Sequence, residues 1–197
     1  MFVEPNLGRK DAGPLKNTGW VEIIAGAMFS GKTEELIRRL NRALIARQKV
    51  EIFKPVVDTR YHNRYVVSHD ESQIRSTPVH FAEDIMLLAA DSEVVGIDEA
   101  QFFDMHLVDI VTALADQGKR VIVAGLDMDY SGKPFGPMPA LMAVSEFVTK
   151  VHPVCIRCGA IANYSHRLTE EKDTVVLGER ETYEPLCRKC YNESKNK

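Results

Sequence analysis

The stretch Gly26-Ala27-Met28-Phe29-Ser30-Gly31-Lys32-Thr33 matches the G-x-x-x-x-G-K-[ST] pattern of a phosphate-binding P-loop. The apolar, β-branched run at 20–25 precedes it and predicts a buried strand. Residues 33–45 follow it with the spacing of an amphipathic helix, whose apolar stripe is Leu36, Ile37, Leu40, Ala43 and Leu44. Strand, glycine-rich loop and helix are the context that this motif requires. The alternative is a Gly-rich turn that only caps a helix.

A P-loop of this kind predicts specific contacts with a nucleotide. Its backbone N–H groups and the N-terminus of the following helix attract phosphate oxygens. We expect Lys32 to contact the β- and γ-phosphates, and the hydroxyl of Thr33 to bind Mg²⁺.

Composition and charge exclude several classes of protein. The chain has 197 residues, enough for one domain or one domain with a small appendage. Its net charge of −3, from 25 basic and 28 acidic residues, gives no strong attraction to nucleic acid. No apolar run reaches the ~18 residues of a membrane span, and the N-terminus does not resemble a secretory signal. We therefore expect a cytoplasmic protein, in which cysteines are metal ligands or free thiols more often than disulfides.

Strand-like and helix-like segments alternate, which favours an α/β fold with a mainly parallel sheet. Further strands are expected at 49–54 (ended by Pro55), 93–98, 120–126 and 147–151, and further helices at 82–89, 105–117 and 140–145. The polar stretch 56–78 is expected to be a functional or mobile loop. The Gly- and Pro-rich residues 127–139 are expected to form a flap.

Changes in composition suggest four regions. Residues 1–18 are expected to be a flexible N-terminal arm, and 19–151 an ATP-binding α/β domain. Residues 152–191, here called the second lobe, combine turns and short strands between cysteine pairs. Residues 192–197 are expected to be a polar tail.

An acidic pair follows the predicted strand at 93–98. Asp98 and Glu99 fit the Walker-B pattern, in which the first carboxylate holds the metal and the second acts as a base. Parallel sheets place ligands at the carboxyl ends of their strands, where this pair is expected. The alternative is a solvated strand end.

The four cysteines form two C-x-x-C pairs, Cys155/Cys158 and Cys187/Cys190, with 28 residues between the pairs. Two such pairs predict a closed, structural Cys₄ zinc site. A thioredoxin-like redox pair and incidental thiols are the alternatives. The six histidines show no ligand spacing.

Taken in order, five motifs resemble those of the type II thymidine kinases, a family shared by animals and many bacteria. They are the P-loop, Asp58-Thr59-Arg60, residues 98–103, Lys133-Pro134-Phe135-Gly136 and the paired cysteines. The resemblance covers about residues 19–191. It implies a RecA-like ATP-binding domain, a zinc-bearing lobe, a homotetramer, and transfer of the ATP γ-phosphate to the 5′-hydroxyl of thymidine. It also implies feedback inhibition by thymidine triphosphate.

The resemblance also implies roles for individual residues. Glu99 matches the general base, Asp98 and Thr33 match the Mg²⁺ ligands, and Asp58 and Arg60 match residues near the reacting centre. The nucleotide contacts it implies are the P-loop residues 26–33 together with Asp98, Glu99, Ala100 and Gln101. The alternative for Arg60 is a surface cation.

The thymidine site implied by the resemblance has two parts. A slot for the base includes Met28, Phe102, Leu126, Tyr130 and Phe135, each of which, without the family, would be interpreted as a core residue. A lasso loop at 167–183 covers the nucleoside. It contributes Arg167, Val176, Gly178 and Tyr183.

Two other functions fit parts of the sequence. One is a nucleic-acid-stimulated P-loop ATPase with a zinc knuckle, although 197 residues are few for a helicase and the knuckles carry little basic charge. The other is a catalytically silent nucleotide sensor, which would have no need of Glu99. The expected partners are therefore ATP and thymidine, without nucleic acid or membrane.

Overall fold

The computed structural model describes residues 19–56, 65–67, 73–169 and 182–195. Its strands are β1 (Trp20–Ala25), β2 (Val50–Pro55), β3 (Tyr65–Val67), β4 (Gln73–Arg75), β5 (Thr77–Val79), β6 (Val94–Ile97), β7 (Arg120–Gly125), β8 (Phe147–Lys150), β9 (Tyr164–Arg167) and β10 (Tyr183–Leu186). Its helices are α1 (Lys32–Ile45), α2 (Ala82–Leu88), α3 (His106–Asp116), α4 (Met138–Val144) and α5 (Arg188–Lys195), with a 3₁₀ turn at Ala100–Phe102.

Six of these strands form a parallel sheet in the order β5-β2-β6-β7-β1-β8. Successive side chains of a strand point to opposite faces, so Ile23 and Ile24 of β1 enter two different apolar clusters. Helix α1 covers the Ile24 face, and α2, α3 and α4 cover the Ile23 face. The predicted α/β fold with a mainly parallel sheet is therefore confirmed.

The described part of the second lobe is a small unit with its own core. Strands β9 and β10 pair antiparallel, and α5 packs beside them. The rings of Tyr164 and Tyr191 stack with centroids 4.3 Å apart, among the buried cysteines Cys155, Cys187 and Cys190.

A network of buried charged side chains lies within the sheet domain. Charged residues are usually exposed, so the sequence alone does not predict it. Glu22 on β1 is fully buried and accepts hydrogen bonds from Arg120 Nε at 2.6 Å and from Arg39 Nη1 at 2.9 Å. Arg39 on α1 also donates to Thr149 Oγ1 of β8 at 3.0 Å, and Trp20 Nε1 donates to Glu22 at 2.7 Å. The network therefore joins β1, β7, β8 and α1.

Several local predictions were wrong. Strand β2 extends one residue beyond its predicted end at Lys54, because Pro55 is part of the strand and pairs with Val79 of β5. The missing N–H of Pro55 is tolerated because pairing with β6 has already ended at Phe53. The stretch 56–78, predicted to be one long loop, contains β3, β4 and part of β5. The short strand β5 pairs at the sheet edge and gave no periodic signal.

Three further differences concern exposure and helix ends. The strand predicted at 147–151 is an edge strand, with Val148 45% exposed, and not a core strand. Leu44, assigned to the apolar stripe of α1, is also 45% exposed. Helix α5 ends at Lys195, so the predicted tail at 192–197 begins inside a helix. Among the described residues, no helix has the length and apolar character needed to cross a membrane.

We expect Glu22→Gln to lower the free energy of unfolding by about 3 kcal/mol or more, because it leaves two buried guanidinium groups without their shared carboxylate. Urea unfolding of the variant measures this loss. The control is Glu51→Gln, the same substitution at an exposed position of β2. A loss below about 1 kcal/mol would show that the network contributes little to stability.

Candidate active site

The candidate active site lies at the carboxyl ends of three neighbouring strands. Strand β7 lies between β1 and β6, and all three run parallel. The segments that follow these strands therefore meet at one edge of the sheet. They are the P-loop after β1, Asp98 after β6 and Leu126 after β7.

The P-loop has the backbone conformation of an anion-binding loop. Gly31 has φ +82° and is the N-cap of α1, while Phe29 has φ +64°. The Lys32 ammonium donates to the Ala27 carbonyl at 2.9 Å across the loop. Within the described part of the chain, the buried Ser30 hydroxyl has no hydrogen-bond partner. A loop with an unsatisfied hydroxyl and a helix N-terminus suits a phosphate group.

Charge is concentrated around Lys32. Burial lowers the pKa of its ammonium group, and the carboxylates of Glu99, Asp98 and Asp127 oppose that shift. An anion that approaches the ammonium would supply further counter-charge, so phosphate binding and protonation of Lys32 favour each other.

The P-loop and the acidic pair are in direct contact. Thr33 Oγ1 donates to Asp98 Oδ2 at 3.2 Å, and Asp98 Oδ1 accepts from the backbone N–H of Glu99 at 3.0 Å. Asp98 is itself held by its backbone N–H, which donates to the Phe53 carbonyl of β2. A hydroxyl and a carboxylate side by side are oxygen ligands of the kind that Mg²⁺ prefers. The donor set therefore fits the predicted metal.

Glu99 begins the 3₁₀ turn in a left-handed conformation, with φ +52°. Its Oε2 accepts a hydrogen bond of 2.5 Å from Gln101 Nε2. Gln101 Oε1 in turn accepts from the Leu126 backbone N–H at 2.9 Å. The resemblance implied a nucleotide contact for Gln101, whereas the structure places its amide between Glu99 and the end of β7.

Five of the described residues of the predicted thymidine site form two groups. Phe102 and Phe135 pack edge to face, with ring centroids 5.8 Å apart. The guanidinium carbon of Arg167 lies 3.6 Å from the ring centroid of Tyr130. Arg167 Nη2 and Nε donate to the Tyr183 hydroxyl at 3.0 and 3.2 Å. The pairing of Arg167 with Tyr183 follows from the register of β9 and β10.

Other predicted site residues lie outside the described residues. They are Asp58, Arg60, Val176 and Gly178. Most of the predicted lasso at 167–183 lies there as well, and so does the predicted arm at 1–18.

The four cysteines come together as their spacing predicted. Their sulfur atoms all lie within 4.8 Å of one another. Burial raises the pKa of the Cys155 thiol, but hydrogen bonds from the backbone of Cys187, Arg157 and Cys158 outweigh it and lower that pKa to about 6. Thiolates are the form that binds metal, and tetrahedral zinc needs sulfur atoms roughly 3.8 Å apart. The cluster is therefore compatible with a structural zinc ion.

Comparisons with known proteins agree with this geometry. A family model described as thymidine kinase matches residues 19–191. The thymidine kinase of Rhodothermus sp. (strain ITI 518) is 63% identical over 175 residues, which are 89% of this chain and 82% of that protein.

This chain belongs to the thymidine kinase family. The thymidine kinases of Porphyromonas gingivalis (strain ATCC BAA-308 / W83) and Bacteroides fragilis (strain YCH46) are 59% and 57% identical, over 88% and 89% of this chain and 85% and 88% of theirs. The solved flagellar accessory protein FlaH from Methanocaldococcus jannaschii shares the fold alone. Its TM-score is 0.50 at 13% identity, over 75% of this chain and 76% of that one.

Sequence analysis of this thymidine kinase family member missed two contacts made by the second lobe. Ser165 Oγ of β9 accepts the P-loop N–H of Met28 at 3.0 Å. The Tyr191 hydroxyl of α5 donates to the flap carbonyl of Tyr130 at 2.8 Å. Nothing in the local sequence indicates a contact for Ser165. Tyr191 directly follows Cys190, and an aromatic residue beside a predicted metal ligand could have indicated a packing or hydrogen-bonding role.

A third missed residue is Asp127, which directly follows Leu126 at the end of β7. It is only 8% exposed and pairs with Lys150 at the end of β8, at 2.6 Å. The rule that pointed to Asp98, a carboxylate at the carboxyl end of a parallel strand, also applies to Asp127.

We expect Tyr191→Phe to loosen the flap, because it removes the hydroxyl that holds the Tyr130 carbonyl. The loss of one hydrogen bond should speed amide exchange of Asp129 and Gly132 about two- to tenfold, as measured by hydrogen–deuterium exchange. Ser194→Ala is the matched control, since the Ser194 hydroxyl bonds only within α5 among the described contacts. Equal exchange in both variants and the wild type would contradict this role for Tyr191.

Proposed function

We propose that this protein is a thymidine kinase that transfers the γ-phosphate of ATP to the 5′-hydroxyl of thymidine. The observation that carries the proposal is the contact between Thr33 of the P-loop and Asp98 of the acidic pair, with Glu99 next along the chain. The P-loop, the Thr33–Asp98 contact and a second carboxylate lie at one sheet edge, in a chain of the thymidine kinase family, and this supports the proposal.

We propose that the P-loop residues 26–33 bind the phosphates of ATP. Backbone N–H groups of the loop and the Lys32 ammonium would neutralise phosphate oxygens. The unpartnered hydroxyl of Ser30 is a further donor at the same place. Thr33 and Asp98 would hold Mg²⁺, which when bound neutralises charge on the phosphate oxygens.

We propose that Glu99 is the general base. The 5′-hydroxyl is a weak nucleophile, so a carboxylate within hydrogen-bond reach can accept its proton as the phosphoryl group transfers. The Glu99 carboxylate opposes the lowering of the Lys32 pKa, and this electrostatic interaction with the P-loop lysine supports the proposal. The family resemblance further supports roles for Asp58 and Arg60 near the reacting centre.

We propose that the thymine ring binds among the apolar and aromatic side chains of the two groups described above. A flat, methylated ring is suited to a slot lined by aromatic rings. The members of the proposed site are Met28, Phe102, Leu126, Tyr130, Phe135, Arg167, Val176, Gly178 and Tyr183.

Finer proposals rest on the family resemblance. They are inhibition by thymidine triphosphate, assembly as a homotetramer and a cytoplasmic location. Exposed apolar side chains on and beside α2, namely Phe81 (65%) and Leu87 (80%), are compatible with assembly.

We expect Glu99→Gln to lower kcat for thymidine phosphorylation by about 100-fold or more, because a neutral amide cannot accept the proton. The KM for ATP should change little, since the P-loop is intact. Transfer of labelled γ-phosphate from ATP to thymidine measures both constants.

Glu51→Gln again serves as the control, because Glu51 is exposed on β2. Retained turnover in Glu99→Gln would exclude Glu99 as the base. ATP hydrolysis that depends on single-stranded DNA and not on thymidine would replace the kinase proposal with the nucleic-acid-stimulated ATPase.

We also propose that the cysteine cluster holds one structural zinc ion per chain. Elemental analysis of the purified protein should find it, and Cys190→Ala should abolish stoichiometric binding by removing one of four ligands. Ser194→Ala, one turn further along α5, should retain the metal. Full zinc content in Cys190→Ala would contradict the Cys₄ site.

A further inference from the structure

We propose that Gln101 is a positioning residue that fixes the orientation of the Glu99 carboxylate, and that it does not itself bind phosphate. This inference rests on the proposed function, in which Glu99 accepts the proton of the nucleoside hydroxyl.

The amide of Gln101 is engaged at both ends, and the chemistry of its partners decides its orientation. The Leu126 N–H can only donate, so it selects the carbonyl oxygen Oε1, at 2.9 Å. That choice directs the amino group Nε2 toward Glu99 Oε2, which accepts it at 2.5 Å. An ionised carboxylate can only accept, so both contacts require the same amide orientation.

Burial makes this arrangement rigid. Gln101 is only 2% exposed and lies on a 3₁₀ turn that begins at Glu99. A hydrogen bond to a charged group in such surroundings is stronger than one in water. The Glu99 side chain has several rotatable bonds, and a hydrogen bond to a buried amide favours the rotamers that keep this contact.

Two glycines leave space for Gln101. A Cβ atom on Gly125 would lie 2.9 Å from Gln101 Oε1, and one on Gly136 would lie 2.3 Å from the Gln101 carbonyl oxygen. Gly136 has φ +51° and belongs to the flap. The chain therefore brings β7 close to the Gln101 side chain and the flap close to the Gln101 backbone.

This placement joins the base to the proposed thymine slot. Leu126 and Phe102 belong to that slot, and Gln101 is bonded to the first and adjacent in sequence to the second. A base that is fixed relative to the slot is also fixed relative to the 5′-hydroxyl of a nucleoside bound there. Such preorganisation acts on kcat and not on ATP binding.

The test compares two variants that nearly preserve the volume of Gln101. Gln101→Met removes both hydrogen bonds, and Gln101→Glu replaces the amino donor with a second carboxylate. We expect kcat to fall between about tenfold and 100-fold in both, with the KM for ATP within about twofold of the wild-type value.

The pH profile of kcat separates positioning from general damage to the fold. In Gln101→Glu two carboxylates share one site, and they resist simultaneous ionisation. The acidic limb of the profile should therefore move to higher pH by about one unit or more in Gln101→Glu, and much less in Gln101→Met. Gln117→Glu, the same substitution at the exposed end of α3, should leave kcat and its pH profile at wild-type values.

Each outcome has a stated meaning. A Gln101→Met variant that folds and keeps kcat within about twofold overturns the inference, and so does a Gln101→Glu variant with an unmoved acidic limb. The proposed function fails separately, through retained turnover in Glu99→Gln. Inactive Glu99→Gln together with normal Gln101 variants would overturn the positioning role alone.

A second measurement applies if neither Gln101 variant folds. In wild-type protein labelled with ¹⁵N-glutamine, one side-chain amide should exchange slowly with solvent, and its resonance should move in Glu99→Gln. The same amide should be unaffected in Glu51→Gln. If no glutamine amide responds to Glu99→Gln, the inference is overturned.

Discussion

The buried ammonium of Lys32 is the charge on which the site depends. Carboxylates that follow two different strands, Asp98 and Glu99 after β6 and Asp127 after β7, oppose the loss of its proton. Among the described residues, these carboxylates outnumber the cations Lys32 and Lys150, the second of which pairs with Asp127 at 2.6 Å. Such surroundings are compatible with a triphosphate whose charge is partly neutralised by a divalent cation. The contact between Thr33 and Asp98 is compatible with the same kind of cation.

The second lobe contacts both the P-loop and the flap. Through Ser165 it accepts an N–H of the P-loop, and through Tyr191 it holds the flap at Tyr130. Both residues lie close to the cysteine cluster, since Tyr191 follows Cys190 and the ring of Tyr164 stacks on that of Tyr191. Disorder of the second lobe would therefore remove the contact with the P-loop and the contact with the flap together.

Sequence patterns predicted the features whose residues are adjacent along the chain. The P-loop, the strand before Asp98 and the cysteine pairs each lie within a few residues, and the structure brings them together as expected. Contacts between distant segments carried no such pattern. The three-residue strand β5 is stabilised by its pairing with β2, and Ser165 reaches Met28 from 137 residues away. The two hydrogen bonds of the Gln101 amide join Glu99 to Leu126, and only the fold reveals the second of these partners.

The number of charged residues says nothing about which of them are buried, and charged residues are expected at the surface by default. Glu22 and Arg39 are fully buried, and they belong to the strand before the P-loop and the helix after it. Apolar side chains of similar volume could fill this space with comparable stability, since burying ions is costly. Guanidinium groups, however, bond carboxylates only in a narrow range of directions. The network therefore ties the strand before the P-loop to the helix after it through directional hydrogen bonds.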